Sequence, residues 1–385
     1  MQGRRLAVEF SLGQALQTML SRLGDVEASG ADFLAAWPMG QYSPGMAARV
    51  KVAVLGVGSL GRQHARIYGE MHRHGTVELV GVYDSDAAQA GSVAEKNSTV
   101  ALDSIEAATE AADALSVVTP TVTHHTLAKP LLEQGKHLLV EKPMTDNAAQ
   151  AAELVLLAKQ HDCVLQVGHI ERFNPVFNYL RKAACEPRFI ESHRLSPYPA
   201  RSTDIGVVLD LMIHDLDIVL AFVGSPVEHV DAAGVRVLSA SEDIANARLR
   251  FANGCVANLT VSRVSPESLR KIRVFSGGDT PSYVSLDYRE QQGYHYRLAR
   301  EDEQESSMLK KLIAGKDSAI VSQFGGRRVV REPVPIQREE PLKVELESFV
   351  RCVAGKQAPV VSGESARQAI ELALEIAGQI QAQND

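Results

Sequence analysis

The chain has 385 residues, 45% of them hydrophobic and 23% charged, with a net charge of −7. That length accommodates two domains with sizeable cores. The acidic balance excludes an electrostatic footprint for nucleic acid. No lysine or arginine block marks a membrane surface, and no apolar run reaches bilayer-spanning length. Four scattered cysteines (Cys163, Cys185, Cys255, Cys352) without CxxC spacing read as free thiols in a reducing compartment, so the expectation is a cytoplasmic protein with no metal centre.

Residues 1–49 stand apart. Leu6 to Leu23 carries apolar residues at helical spacing, and Asp25 to Gln41 has no periodicity. Two readings are open: a docking helix on an arm, or translation from Met46, four residues before Val50. From Val50 strands and helices alternate, which predicts a doubly wound parallel sheet. Val52 to Leu55 reads as a strand that meets Gly56, Gly58 and Gly61 at GxGxxG spacing, with Ser59 and Leu60 between them and a helix over Arg62 to Arg73. In that order Gly56 serves the tight turn, Gly58 the close approach of backbone to a pyrophosphate, and Gly61 the packing of helix on strand. Val77 to Tyr83 predicts a second strand. It ends at Asp84, about twenty residues past the glycines, where a carboxylate accepts hydrogen bonds from the adenosine ribose and repels a 2′-phosphate. This is a dinucleotide site, and Asp84 selects NAD over NADP.

A helix is expected over Ser85 to Lys96 and a short one over Asp103 to Thr109. A buried strand, Ala114 to Val118, ends in Thr119-Pro120, and a helix follows over Thr123 to Gln134. His137 to Val140 runs straight into Glu141-Lys142-Pro143. Asp146 is expected to cap a helix to His161, and Cys163 to Val167 ends in Gly168-His169. The first domain closes near residue 169. Beyond it come a helix over Arg172 to Ala184, a strand over Phe189 to Leu195 and a helix over Val207 to Val223. Alternating runs follow: Val235 to Leu238, Ala245 to Phe251, Val256 to Val264, Arg270 to Phe275 and Tyr283 to Tyr288. They predict a mostly antiparallel sheet. Residues 300–341 read as charged and turn-rich. Leu342 to Val353 and Ser365 to Ile380 read as closing helices that return to the first domain. The expected layout is a Rossmann domain over 50–169, an α+β substrate and oligomerisation domain over 170–340, and helices over 341–385.

Catalytic groups in such a fold belong beyond the carboxyl ends of the parallel strands. Lys142 leaves a buried strand there, locked by Pro143, where burial and neighbouring charge tune an amine. Asp210 and His214 stand four apart on an expected helix, so they share a face, and a carboxylate-oriented histidine is a general base for neutral pH. A surface helix of ordinary charge pairs explains the same spacing, and a metal site of Asp210, His214 and Asp217 lacks further imidazole or thiol ligands.

Together these features resemble the Gfo/Idh/MocA oxidoreductases over residues 50 to 380. The shared motifs are Gly56-x-Gly58-x-x-Gly61, Thr119-Pro120-x-x-x-His124, Glu141-Lys142-Pro143, Arg172-Phe-Asn-Pro175, Asp210-x-x-x-His214 and Ser362-Gly-Glu-x-x-Arg367. The resemblance implies that Lys142, Asp210 and His214 are catalytic. His214 would take the hydroxyl proton, Lys142 would hold the substrate oxygen, and Asp210 would orient His214. It places Gly56, Gly58, Ser59, Leu60, Gly61, Asp84, Thr119, Pro120, His124, Glu141 and Lys142 at the cofactor, and His169 and Arg172 on the sugar side with the catalytic set. The chain departs from many relatives in reading Ser202-Thr-Asp-Ile-Gly-Val-Val-Leu-Asp210 where they have a glycine triplet. Gly168-His-Ile-Glu-Arg-Phe-Asn-Pro175 is similar to the branch that oxidises C3 of UDP-N-acetylglucosamine for transamination, in part towards lipid A. Arg194 and Arg201 are read both as diphosphate ligands and as solvated arginines. Free sugars, inositols, carbonyl reduction and a non-catalytic nucleotide-binding role are the alternatives. The sheet of the second domain implies a homodimer or homotetramer.

Overall fold

The computed structural model describes residues 49–183, 186–198, 205–278, 281–299, 319–324 and 327–384. The expected amino-terminal helix, Cys185 and Arg201 lie outside the described residues.

The first sheet is built from β1 (Lys51–Leu55), β2 (Glu78–Tyr83), β3 (Ala114–Val117), β4 (His137–Glu141) and β5 (Leu165–Gly168), in the order β2-β1-β3-β4-β5 and parallel throughout. Ala101 adds one parallel bridge to Val82, a vestige of a further strand beyond β2. The strands between α1 (Gly61–Arg73), α2 (Ala87–Asn97), α3 (Ile105–Ala111), α4 (Thr121–Glu133) and α5 (Ala148–Gln160) are near-continuous apolar runs. They form that way because helices cover both faces of the sheet. Asp86 caps α2 by accepting from the amides of Ala88 and Gln89. Asn147, not the expected Asp146, caps α5, because its side chain reaches the amides of Ala149 and Gln150.

The expected helix over 172–184 is two pieces. A 3₁₀ turn, Ile170–Phe173, and α6 (Pro175–Ala183) are separated by Asn174. The side chain of Asn174 accepts from Val176 N and donates to Glu171 and to the carbonyl of Tyr288, so it starts the new helix instead of continuing the old one. The helix expected over 207–223 opens with a π turn, Val208–Met212, before α7 (Ile213–Val223).

A nine-stranded sheet follows: β6 (Pro187–Leu195), β7 (Val227–Val235), β8 (Ile244–Phe251), β9 (Val256–Ser262), β10 (Leu269–Ser276), β11 (Ser282–Asp287), β12 (Gln292–Leu298), β13 (Ala319–Phe324) and β14 (Arg327–Pro333). Its order is β13-β14-β12-β11-β10-β6-β9-β8-β7, and every pair is antiparallel except β6 with β9. Val237 and Leu238 do not make a strand. They are exposed, and their amides and that of Ser239 turn onto the Asp243 carboxylate. Alternation along β8 is strict: Ala245, Ala247, Leu249 and Phe251 face the core and their neighbours face away.

Two helices close the chain, α8 (Pro341–Gly355) and α9 (Gly363–Asn384). Leu346 and Phe349 of α8 pack with the first sheet. The beginning of α9 (Ala366, Ala369, Ile370) joins the core of the parallel sheet, and its end (Ala373, Ile376, Ile380) joins that of the nine-stranded sheet. One helix therefore contributes to both cores. No described helix is long and apolar enough to cross a membrane. Cys163, Cys255 and Cys352 carry free thiols.

Candidate active site

β1 has β2 on one side and β3 on the other, so the connections diverge and a crevice opens outside their carboxyl ends. Gly56 there has φ +84, and a Cβ on it would strike the Val118 carbonyl. A Cβ on Gly61 would strike the carbonyl of Gly56, whereas one on Gly58 would enter open space. Leu60 is the N-cap of α1 and no side chain caps it, while Ser59 and Leu60 are exposed. The glycine turn is thus closed to side chains on its inner side and open on the side a pyrophosphate would take. Asp84 lies at the end of β2. Its carboxylate accepts from Val57 N at 2.7 Å, from Asp86 N and from Gln89 Nε2, which ties the ribose-side acid to the glycine turn. Burial pulls this carboxyl upward, but the N–H groups of Asp86, Val57 and Gln89 outweigh it and hold it below the usual value. These residues fit a dinucleotide with an unphosphorylated adenosine ribose.

Lys142 follows β4. Its Nζ donates to the backbone carbonyl of Asp210 at 2.7 Å and to Asp210 Oδ1 at 3.3 Å. Glu141 is buried and spent inside the protein, accepting from Lys142 N and facing His64 Nε2 at 3.1 Å. His124, expected at the cofactor, has Nδ1 2.9 Å from the Pro143 carbonyl and Nε2 2.9 Å from the Thr119 carbonyl. Each nitrogen faces a backbone carbonyl, so this buried ring sits between the Thr119-Pro120 turn and the loop carrying Lys142 and donates to one of them according to its tautomer.

His214 stands on α7. Burial comes first, and the positive charges of Lys142 and Arg194 and the rings and charges of His169 and Arg270 add to it, so its imidazole is held well below the ordinary histidine value. Its Nδ1 is buried and unpaired among the described residues. His169, after β5, meets it edge to face with ring centroids 6.3 Å apart. His169 is itself lowered by burial, with Lys142 and Arg172 reinforcing and Asp217 and Glu141 opposing.

One expectation needs correction. The carboxylate of Asp210 turns to Lys142 instead of orienting His214, because the π turn carries it away from the regular helical face. Arg172, expected on the sugar side, reaches Asp217 at 3.3 Å and the Val360 carbonyl at 3.1 Å, with its Cζ 5.5 Å from the Phe177 ring centre and its Nε unpaired among the described residues. Each of these acids has its own cation, Asp210 with Lys142 and Asp217 with Arg172.

The profile of the GFO/IDH/MocA oxidoreductase family, an NAD-binding Rossmann fold, matches residues 50–169, and that of the GFO/IDH/MocA C-terminal domain matches residues 181–277. UDP-N-acetylglucosamine 3-dehydrogenase of Acidithiobacillus ferrooxidans is 34% identical over 328 residues, covering 85% of this chain and 96% of that protein. The chain belongs to the Gfo/Idh/MocA oxidoreductases. The solved structure of that dehydrogenase, GnnA, superposes with a TM-score of 0.74 at 33% identity, over 87% of this chain and 98% of GnnA. Myo-inositol dehydrogenase Hyg17 of Streptomyces leeuwenhoekii is 31% identical over 233 residues, 56% of this chain and 70% of that protein.

As a member of this family the chain is an NAD-dependent enzyme acting on CH–OH groups, and the non-catalytic reading falls. Sequence reasoning missed the groups behind the site. Arg194 is 4% exposed and paired with Asp215 at 2.7 Å and Glu171 at 3.1 Å, so it is neither a diphosphate ligand nor a solvated arginine. Asp215 and Asp217 stand beside His214 in the same short segment. That density of acids was the available signal, since a helix buried on its sheet face must bring cations to meet them.

Proposed function

We propose that this enzyme oxidises C3 of UDP-N-acetylglucosamine, or a close UDP-amino sugar, to the ketone. The observation that carries the reaction is His214 packed against His169, its Nδ1 buried and unpaired among the described residues, beside a lysine held by Asp210. The substrate class rests on the likeness to the dehydrogenase of A. ferrooxidans across almost its whole length.

His214 takes the hydroxyl proton. A neutral imidazole is available for that at neutral pH because protonation is suppressed in the resting site. Lys142 contributes positive charge where the oxygen gains alkoxide character, and Asp210 holds its ammonium at the mouth of the site. Gly56, Gly58 and Gly61 would cradle the cofactor pyrophosphate, with Ser59 and Leu60 at the helix start, Asp84 at the ribose and Thr119-Pro120 along the next strand end. NAD, when bound, supplies the hydride acceptor. His169 packs against the base and shapes the sugar side. The 3-keto product is a substrate for transamination, the chemistry of an amino-sugar route such as that to lipid A. The enzyme works as a homo-oligomer joined through the outer face of the nine-stranded sheet.

A cyclitol substrate is the second reading, favoured by the inositol dehydrogenases among the relatives. Purified enzyme is incubated with NAD and either UDP-N-acetylglucosamine or myo-inositol, with a carbonyl trap to draw the uphill oxidation forward. NADH fluorescence with the nucleotide sugar, abolished by His214→Ala, is the expected result. Turnover of inositol alone overturns the nucleotide-sugar assignment.

A further inference from the structure

β6 and β10 pair antiparallel, and the register sets Arg270 directly opposite Arg194. Residues two apart on a strand share a face, so Arg270 lies on the side of Ile272 and Val274, the side that carries the core and the candidate active site. The two arginines have different surroundings. Arg194 is buried and takes both carboxylates: Asp215 through Nε and Nη2, and Glu171 through Nη1. The remaining capacity of these acids is also used. Ser192 Oγ donates to Asp215, and Asn174 Nδ2 donates to Glu171. Among the described residues Arg270 is left with one long ion-pair contact, Nη1 to Glu171 at 3.9 Å, and its side chain is 54% exposed.

The charges are therefore layered. Glu171 and Asp215 are 6% and 4% exposed, beneath, with Arg194 between them, while Arg270 faces solvent above. Arg289 stands next to it, because Tyr288 N donates to the Arg270 carbonyl. Its side chain is 57% exposed, and its one ion pair among the described residues is a 3.9 Å contact to Glu290. Asp215 follows His214 on α7, and the charges of both Arg194 and Arg270 reach the His214 ring, so the layer ends near the proposed base.

We propose that Arg270, with Arg289 beside it, binds the diphosphate of a nucleoside diphosphate sugar at the outer end of the active site and gives the enzyme its preference for that class over free sugars. This inference rests on the nucleotide-sugar reading above. A guanidinium offers planar, paired donors that match phosphate oxygens, and one without a close carboxylate has those donors to give. The sugar would then extend inward from the diphosphate towards His214 and Lys142. Arg194 cannot take this part, since its donors are already placed on buried acids.

The test is Arg270→Met, which keeps the aliphatic stem and removes the charge, in the full chain at saturating NAD. KM for UDP-N-acetylglucosamine and the inhibition constant of UDP against it are expected to rise about ten- to hundredfold, with the loss concentrated in KM. Arg270→Lys is expected to recover part of it. Discrimination between the nucleotide sugar and free N-acetylglucosamine should narrow accordingly. An unaltered KM and UDP inhibition overturn the inference and leave the nucleotide-sugar reading standing. A fall in kcat of equal size on both substrates, with a lower melting temperature, assigns Arg270 to propping Glu171 and overturns it as well. If unmodified enzyme turns over inositol but not the nucleotide sugar, the functional reading fails and takes the inference with it.

Discussion

Glu345 lies wholly buried on α8, with both carboxyl oxygens unpaired among the described residues. Burial, then the negative charges of Glu141 and Asp217, push its acid well above the ordinary value of 4.5. The native state therefore favours the protonated acid. A raised native value means that the stability this group contributes is complete below 4.5 and is lost as pH rises through the native value. Glutamine is the neutral isostere. Glu345→Gln should match wild type within about 0.5 kcal/mol at pH 5 and become the more stable of the two towards pH 8. His169 and His214 act in the opposite sense: their lowered values remove stability as pH falls below 6.5. Both proteins carry them, so they cancel in the comparison. Urea unfolding at the two pH values reads the difference, and a gap that does not widen with pH means that Glu345 is ionised in the native state.

At the scale of elements, the turn from β1 to α1 separates folding from cofactor binding within six residues. Gly58→Ala places a methyl in open space, so stability should stay within about 1 kcal/mol of wild type while NAD affinity falls about tenfold or more. Gly61→Ala drives a methyl into the Gly56 carbonyl and should cost about 1–3 kcal/mol in unfolding free energy, cofactor or none. Calorimetric NAD titration beside thermal melts separates the two. Equal loss of stability in both variants would show that Gly58 is also a packing glycine. These glycines, and the strands on either side, were legible because parallel strands covered on both faces are short apolar runs, and because the turn admits few residue types. The hairpin of β13 and β14 was not. The sequence of β14, Arg327-Arg-Val-Val-Arg-Glu-Pro333, looks like charged loop until β12 is there to pair with it. Site side chains divide the same way. Lys142 and His214 stand out by position, but the fate of Arg194 depends on acids 21 and 23 residues away, which only the folded register brings to it. Asp210 was misdirected because a local π turn breaks the spacing on which the argument rested.

At the scale of the molecule, the nine-stranded sheet buries one face under α6, α7 and α9 and leaves the other with an aromatic row. Phe189, Phe275, Tyr283 and Tyr296 are successive cross-strand partners on β6, β10, β11 and β12. Their ring centres are 5.8, 4.6 and 4.8 Å apart. Such pairs strengthen a sheet from within. All four rings are only partly covered, and a row of this length across four strands presents a continuous apolar surface of the kind that second copies cover. A pairing of two identical faces would set aromatic row against aromatic row around a twofold axis, well away from the crevice beyond β1 and β3. A charge in the middle of the row would be desolvated in both partners at once. Tyr283→Glu should therefore shift the mass measured by light scattering from a multiple of 41.7 kDa to the single chain, with NAD affinity retained because the turn at Gly56 to Gly61 is untouched. If Tyr283→Glu keeps the wild-type mass, the copies meet elsewhere and the row serves the sheet alone.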